Sequence, residues 1–177
     1  MTKTAIITAS ENIFKQFSET CDRIGEAGMF AKPGPKWSVA ENIRHMVIST
    51  NMTTLAYRLP KFVVKWIGGT PNRKSRSYDE LKEKYYKKLS EGGRASGRFV
   101  PKPIEVSYGK QKLMDSWNAS TAKYLSSLTA NRTEEDLDNY LARHPLLGRI
   151  TLRELCYFTV FHTEHHLRTI HELTQKP

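Results

Sequence analysis

The chain has 177 residues and a formal net charge of +10, with 38% hydrophobic and 26% charged residues. This length allows one continuous core, and this composition excludes an intrinsically disordered chain. The two cysteines, Cys21 and Cys156, show no C-x-x-C spacing. They therefore do not indicate a disulfide framework or a cysteine-based zinc site, and we expect them to be buried, reduced thiols.

Four patterns along the chain resemble capping boxes, in which a hydroxyl residue precedes a glutamate by three positions. They predict helix starts at Thr8, Ser38, Ser77 and Thr151. Apolar residues at helical spacing extend these starts and indicate two further helices. The predicted helices cover residues 8–27, 38–59, 78–90, 108–128, 133–142 and 151–173.

The predicted fold class is all-α. Ile104–Tyr108 is the only stretch that suggests a strand, and it is short. Four of the predicted helices are long, which indicates a four-helix bundle within one domain over residues 1–177. A long crossover joins the second and third long helices, and bundles with one such crossover usually have two neighbouring helices running parallel.

This crossover, residues 58–112, holds 15 Lys and Arg against 5 Asp and Glu, so it carries the whole net charge. We call it the basic connection. Such a segment can attract nucleic acid, an acidic membrane surface or an anionic small molecule, or can simply aid solubility. Its aromatic residues could stack on bases, but such residues more often anchor a loop on a bundle, so nucleic-acid binding is disfavoured. These aromatic residues are Trp66, Tyr78, Tyr85, Tyr86 and Phe99.

Half of the six histidines lie within residues 161–170, on the last predicted helix. His162 and His166 are one turn apart on its apolar face, and such a pair can bind one metal ion, although helical histidines are often ordinary core or surface residues. A third ligand must come from another helix, and His45 is the only histidine of the second helix. Three imidazoles suit zinc, nickel, iron or copper and leave a position for water or substrate. Glu41, one turn before His45, is predicted to cap its helix, and a contact with a metal-binding side chain that supports the metal is a further predicted role.

Three blocks of sequence, Trp37–His45, His144–Glu154 and Phe161–His166, occur in this order. Together they resemble the DinB-like superfamily, which includes the YfiT-type proteins. The resemblance implies an up-down-down-up four-helix bundle and one divalent metal ion, often nickel or zinc, on the three histidines described above. It also implies a homodimer, because bundles of this family commonly pair through helices.

Members of this superfamily include enzymes that use low-molecular-weight thiols such as bacillithiol or mycothiol. The leading hypothesis is therefore a metal-dependent thiol transferase or related enzyme acting on a small molecule, in which the ion lowers the pKa of the thiol. The alternative is a non-enzymatic stress-response protein that binds nucleic acid or another anion through the basic connection. The chain shows neither a signal-peptide core nor a membrane-spanning window, which predicts a cytoplasmic location.

The basic connection is also predicted to cover one rim of the metal pocket, where its charge would favour an anionic substrate. Its densest cationic cluster is Arg73, Lys74 and Arg76. Arg94 and Arg98, beside the glycines of the predicted flexible linker 92–97, are equally good candidates for contact with an anion.

Overall fold

The computed structural model describes residues 1–175, which are mostly helical and contain eight α-helices and one two-stranded sheet. The helices are α1 (Lys3–Asp22), α2 (Glu26–Phe30), α3 (Val39–Arg58), α4 (Lys61–Gly68), α5 (Tyr78–Ser90), α6 (Lys110–Asn131), α7 (Asp136–Asn139) and α8 (Leu152–Thr174). Strands β1 (Leu141–His144) and β2 (Gly148–Thr151) pair antiparallel, with Leu141 opposite Thr151. Single turns of 3-10 helix cover Gly97–Phe99 and Val106–Tyr108.

Three of the four predicted capping boxes are present. At Ser38, Ser77 and Thr151 the hydroxyl accepts the N–H of the glutamate three residues on, and that carboxylate accepts the N–H of the capping residue. These local interactions satisfy backbone donors that a helix start otherwise leaves unpaired. They fix the first turns of α3, α5 and α8 where the sequence predicted them.

The predicted start at Thr8 is wrong, because α1 already begins at Lys3. The hydroxyl of Thr2 caps this helix by accepting the N–H of Ala5. The backbone N–H of Lys3 donates to the carboxylate of Glu134 at 2.7 Å. The Glu134 partner is 131 positions away in the chain, and Thr2 has alanine rather than glutamate three residues on, so this helix start lacks the capping-box pattern.

The four long helices, α1, α3, α6 and α8, pack against one another around the main core. Helix α3 contacts α6 and α8, and α1 contacts the same two helices. Large aromatic side chains fill the space between them, and Phe14 meets Trp117 and Tyr124 edge-on at 5.5 and 5.6 Å. Among residues 1–175, no helix is long and apolar enough to cross a membrane.

The β1–β2 hairpin was not predicted. Only Asp136–Asn139 of the predicted helix over 133–142 is helical, and the chain then continues as β1. The strand candidate Ile104–Tyr108 contains a 3-10 turn instead. Strands of four residues are too short for an alternation of apolar and polar residues to be recognised in the sequence. The turn between them requires a left-handed backbone, which Gly148 permits with a φ of 75°.

The basic connection contains more structure than the sequence predicted. Helix α5 was expected, but α4 was not, because Pro60 indicated only the end of α3. Helix α5 packs on α8 through Tyr85, whose ring lies 5.5 Å from Phe158 and 5.4 Å from Phe161. Tyr85 is therefore an anchor of the connection on the bundle, while Trp66 of α4 is 84% exposed.

Candidate metal centre

Helices α3 and α8 bring together the three histidines predicted from the sequence. His45 lies on α3, His162 and His166 lie one turn apart on α8, and all three side chains are buried. Their ligating nitrogen atoms lie within 4.8 Å of one another. Such a group can hold one metal ion.

The spacing of the imidazoles fits a shared ion. His45 Nε2 and His162 Nε2 are 3.2 Å apart. In a tetrahedral zinc site with nitrogen ligands at their usual distance, neighbouring nitrogens would be about 3.3 to 3.4 Å apart. His45 and His162 therefore already lie close to the separation that tetrahedral coordination requires, and all three ligating nitrogens lie within 4.8 Å of one another.

Hydrogen bonds on the outer nitrogens fix which ring nitrogen of two histidines is free. His45 Nδ1 lies 2.7 Å from the carbonyl oxygen of Phe99, which can only accept, so Nδ1 carries the proton. His166 Nδ1 lies 2.8 Å from Asn42 Oδ1. Because the Asn42 amide donates to the carbonyl of Ser38, its Oδ1 is the acceptor, and His166 Nδ1 also carries a proton. The Nε2 atoms of His45 and His166 are thus left unprotonated, as a metal ligand must be.

Aromatic packing holds the imidazole rings in place. Phe158 stacks on His162 at 4.5 Å, and Trp37 packs against His45 at 5.0 Å. Ser49 Oγ lies 3.4 Å from His162 Nδ1, at the outer limit of a hydrogen bond. The centre is therefore apolar on its sides, with polar contacts directed only at the ring nitrogens.

The electrostatics favour neutral imidazoles. Burial lowers the pKa of His45. Burial, with the added repulsion of neighbouring histidines, lowers the pKa values of His162 and His166 well below the usual value. Since metal ions bind the neutral ring, all three side chains are in the ligand form at neutral pH.

The histidines lie on the floor of a long groove with a cavity volume of about 1150 Å³. One face of α3 lines this groove from its first turn to its end, and the α8 face that carries the histidines lies opposite. Helical spacing predicts that Glu41, Ser49, Met52 and Ala56 share the face of His45, and of these Ser49, Met52 and Ala56 line the groove whereas Glu41 does not. The walls come from α4, α5, the hairpin and residues 93–99.

Glu41 caps α3, as predicted. Its carboxylate accepts the N–H of Ser38 at 2.8 Å and an N–H of the Lys32 ammonium at 3.1 Å. Its role in support of the metal stays a prediction. Asn42, in the same turn as Glu41, does bond a histidine, because its Oδ1 accepts from His166 Nδ1. Sequence reasoning missed Asn42, although it lies three residues before His45.

The predicted anion contacts fall into two groups. Arg73 donates both of its Nη atoms to the Glu154 carboxylate, at 2.7 and 2.8 Å. Arg76 donates its backbone N–H and its side chain to the same carboxylate, which is fully buried. Lys74 is exposed to solvent. The densest cationic cluster of the sequence thus neutralises a buried charge at the start of α8.

Arg94 and Arg98 instead line the groove and are exposed. They belong to the wall segment that contributes the Phe99 carbonyl, and Arg94 Nη1 donates to the carbonyls of Leu89 and Gly93. The other charged side chains of the lining are Lys36, Arg143 and Glu172. Four cations against one carboxylate make the groove electropositive.

A further histidine, His144, lines the groove but was not among the predicted site residues. Its Nδ1 accepts the N–H groups of Leu146 and Leu147 at 3.2 and 3.1 Å, which closes the hairpin turn. Burial lowers the pKa of His144 to about 4. The ring is therefore neutral and structural, although in the sequence His144 stands out only as the first residue of the block His144–Glu154.

Neither cysteine can act as a nucleophile in the groove. Cys21 and Cys156 are buried and free, which confirms the prediction of buried thiols. Burial raises the pKa of Cys21 to about 12 and that of Cys156 to about 11. Neither thiol forms the reactive thiolate at neutral pH.

The comparison with protein families agrees with this arrangement. A family model described as the DinB superfamily matches residues 11–170. The match includes both helices that carry the histidines. No curated protein matches the chain.

Proposed function

We propose that this chain, which belongs to the DinB superfamily, is a divalent-metal-dependent thiol S-transferase or a related enzyme acting on a small molecule. The observation that carries the proposal is the convergence of three buried, neutral histidines on the floor of an open groove. His45, His162 and His166 would hold one ion, nickel or zinc. Once bound, the ion would supply Lewis acidity that lowers the pKa of a thiol.

The residues around the histidines prepare the site for this chemistry. The Phe99 carbonyl and the Asn42 amide orient two of the rings. Trp37 and Phe158 shield the rings from water. Since both cysteines are buried with raised pKa values, the reacting thiol would come from a low-molecular-weight cosubstrate.

The proposal includes an up-down-down-up order of helix directions, with the basic connection as the crossover. Two contacts support antiparallel α3 and α8. His45 meets His162, and Tyr57, further along α3, meets Cys156, which is earlier on α8. Arg132, directly after α6, donates to two carbonyls at the end of α3, which supports a parallel arrangement of α3 and α6.

Metal content is the first test. Protein purified without an affinity tag should contain about one divalent ion per chain by elemental analysis, and His162→Ala should lose it. The matched control is His171→Ala, which alters an exposed histidine of the same helix and should keep the ion. Equal metal content in the two variants would contradict the site.

Activity is the second test. Thiol cosubstrates should be screened against generic electrophiles, with and without a chelator. Thiol consumption that disappears on chelation and in His162→Ala would support the transferase. Metal binding without any thiol chemistry would contradict it, and binding of nucleic acid or another anion by the basic connection would then favour the non-enzymatic alternative.

A homodimer is part of the proposal. Phe62 and Trp66 lie one turn apart on α4 and are 75% and 84% exposed, which offers an apolar surface that a second copy could cover. Light scattering at micromolar concentration should give twice the chain mass. A monomer would contradict this part of the proposal.

A further inference from the structure

The groove extends far beyond the histidines, and this second part is almost entirely apolar. Along α3 its floor continues from His45 to Leu59, which is about 21 Å at the rise of an α-helix. Side chains from four elements line this part. The apolar ones are Met52 and Ala56 of α3, Leu59 directly after α3, Ile67 of α4, Leu141 of β1 and Leu155 of α8, and Thr53 and Arg143 are polar residues of the same part.

This apolar part is open to solvent. Leu55 and Ile67, which lie at its edge, are 45% and 40% exposed. Contiguous apolar surface inside a groove is unfavourable in water and marks a binding site for an apolar group. A small polar substrate bound at the histidines would leave this surface uncovered.

The charged side chains of the groove are distributed differently from its apolar side chains. Arg98 directly precedes Phe99, whose carbonyl contacts His45, and both Arg94 and Arg98 line the groove. Arg94 Nη1 also donates to the carbonyls of Gly93 and Leu89, which holds this guanidinium on the segment 93–99. Arg143 lies towards the apolar part, but its Nε donates to the carbonyl of Ile67 at 2.9 Å. An anionic group of a ligand would therefore be stabilised most at the end of the groove that contains the histidines.

Negative charge is weaker than positive charge at the end of the groove that contains the histidines. Glu172 is the single carboxylate of the groove lining, and it lies on α8 two turns beyond His166, where Lys36 also lines the groove. The excess of cations excludes a cationic head group as the preferred ligand.

From these features we infer that the groove binds an acidic amphiphile of the long-chain carboxylate class. Its anionic group lies at Arg94 and Arg98, and its unbranched apolar chain follows α3 towards Leu59 and Ile67. The segment between these ends passes the histidines, and a thiol could react there only if this segment carries an electrophilic carbon such as a polarised double bond. The C–S bond would then form as the π bond breaks, with a proton going to the neighbouring carbon, and for this step the inference rests on the proposed function. It adds the substrate class to that function.

The test is a calorimetric titration of the full-length protein, as purified, with octanoate, decanoate and dodecanoate below their micelle concentrations. Each CH₂ buried in the groove should lower Kd about fourfold. Dodecyltrimethylammonium, which has the same chain and the opposite charge, should bind at least tenfold more weakly than dodecanoate. The double variant Arg94→Gln, Arg98→Gln should reduce this difference, more at low salt than at high salt.

A variant that fills the apolar part provides the structural control. Ala56→Phe should weaken dodecanoate binding at least tenfold and leave metal content unchanged. Ala119→Phe, at an exposed position of α6, is the matched control and should bind like the unmodified protein. Should Ala56→Phe fail to fold, Ile67→Asp at the exposed edge should also weaken dodecanoate binding and favour the cationic amphiphile.

The outcomes separate this inference from the proposed function. Affinity that does not change with chain length, or a Kd unaffected by both Ala56→Phe and Ile67→Asp, would overturn the inference while metal content stands as measured. Chain-length-dependent binding to a protein that holds no metal would support the amphiphile site and contradict the metal-dependent function.

Discussion

The floor of the groove and its walls are stabilised in different ways. The floor consists of α3 and α8, two long helices that are buried along most of their length. The walls, which come from the basic connection and the β1–β2 hairpin, are short elements attached through a few specific contacts. Because burial along a long helix is spread over many side chains, the histidines depend little on any one of these contacts. Single substitutions in α4, α5 or the hairpin should therefore displace these walls and leave the histidines in place, whereas the segment 93–99 contacts His45 directly through the Phe99 carbonyl.

The strongest test of this difference is the ion pair of Arg73 with Glu154. Removing one partner of a buried pair leaves an uncompensated charge, so Arg73→Ala should lower the free energy of unfolding by about 3 kcal/mol. This is the lower end of the usual range, because Arg76 still donates to the carboxylate. Urea denaturation followed by circular dichroism measures the change.

The matched control is Lys74→Ala, which removes the neighbouring exposed cation and should change stability by less than about 0.5 kcal/mol. Metal content should be unchanged in both variants if the floor is independent of the wall. Equal stability of the two variants would show that the pair does not hold the connection on α8.

A second test is the contact of α4 with the hairpin. A Cβ atom on Gly68 would lie 1.8 Å from the carbonyl oxygen of Leu141, so Gly68→Ala must push α4 away from β1. Overpacking of this kind costs about 1 to 3 kcal/mol. Thermal unfolding should show the loss, and limited proteolysis should cut more rapidly near residue 68.

The control for this variant is Gly28→Ala. Its Cβ would lie 3.4 Å from the Ile24 side chain, which is ordinary contact, and alanine is the better helix former. We expect stability that is unchanged or slightly raised. Comparable losses in the two glycine variants would mean that the close approach of α4 to β1 is not what destabilises the protein.

The smallest expected effect concerns pH and the hairpin turn. His144 has a pKa of about 4 in the folded protein, below the ordinary histidine value of 6.5, so the unfolded chain takes up the proton first. The stability that depends on the neutral ring is complete above pH 6.5 and is lost as the pH falls towards about 4. His144→Asn should therefore lose less stability than the unmodified protein between pH 7 and pH 4.5, as measured by urea denaturation at each pH.

The buried histidines of the floor titrate in the same direction, so the comparison with His144→Asn isolates the contribution of the wall. His171→Asn, at an exposed position, should keep the pH dependence of the unmodified protein. If the stability of His144→Asn depends on pH as that of the unmodified protein does, the loss of stability in acid comes from the floor alone.

The difference between the floor and the walls also explains which features could be predicted from the sequence. Helices α3, α5 and α8 begin with local capping boxes, and the three histidines lie on long helices with clear periodicity, so their positions were predicted correctly. The start of α1 has a local cap, Thr2, without a glutamate three residues on, and a second contact with Glu134, which is distant in the chain. Arg73 pairs with Glu154, which is also distant in the chain. The density of charge in the sequence could therefore not distinguish Arg73, which forms this ion pair, from Arg94, which lines the groove. Contacts between distant residues leave no local pattern.

The hydrogen bond from His45 to residue 99 has a consequence for how this protein can diverge. Its acceptor is a backbone carbonyl, an atom that every amino acid possesses. Side chains in this wall, including Arg98 and Phe99 itself, can therefore be exchanged during evolution without loss of the group that orients the imidazole. New ligand preferences can arise in the loop while the inherited geometry of the histidine is preserved.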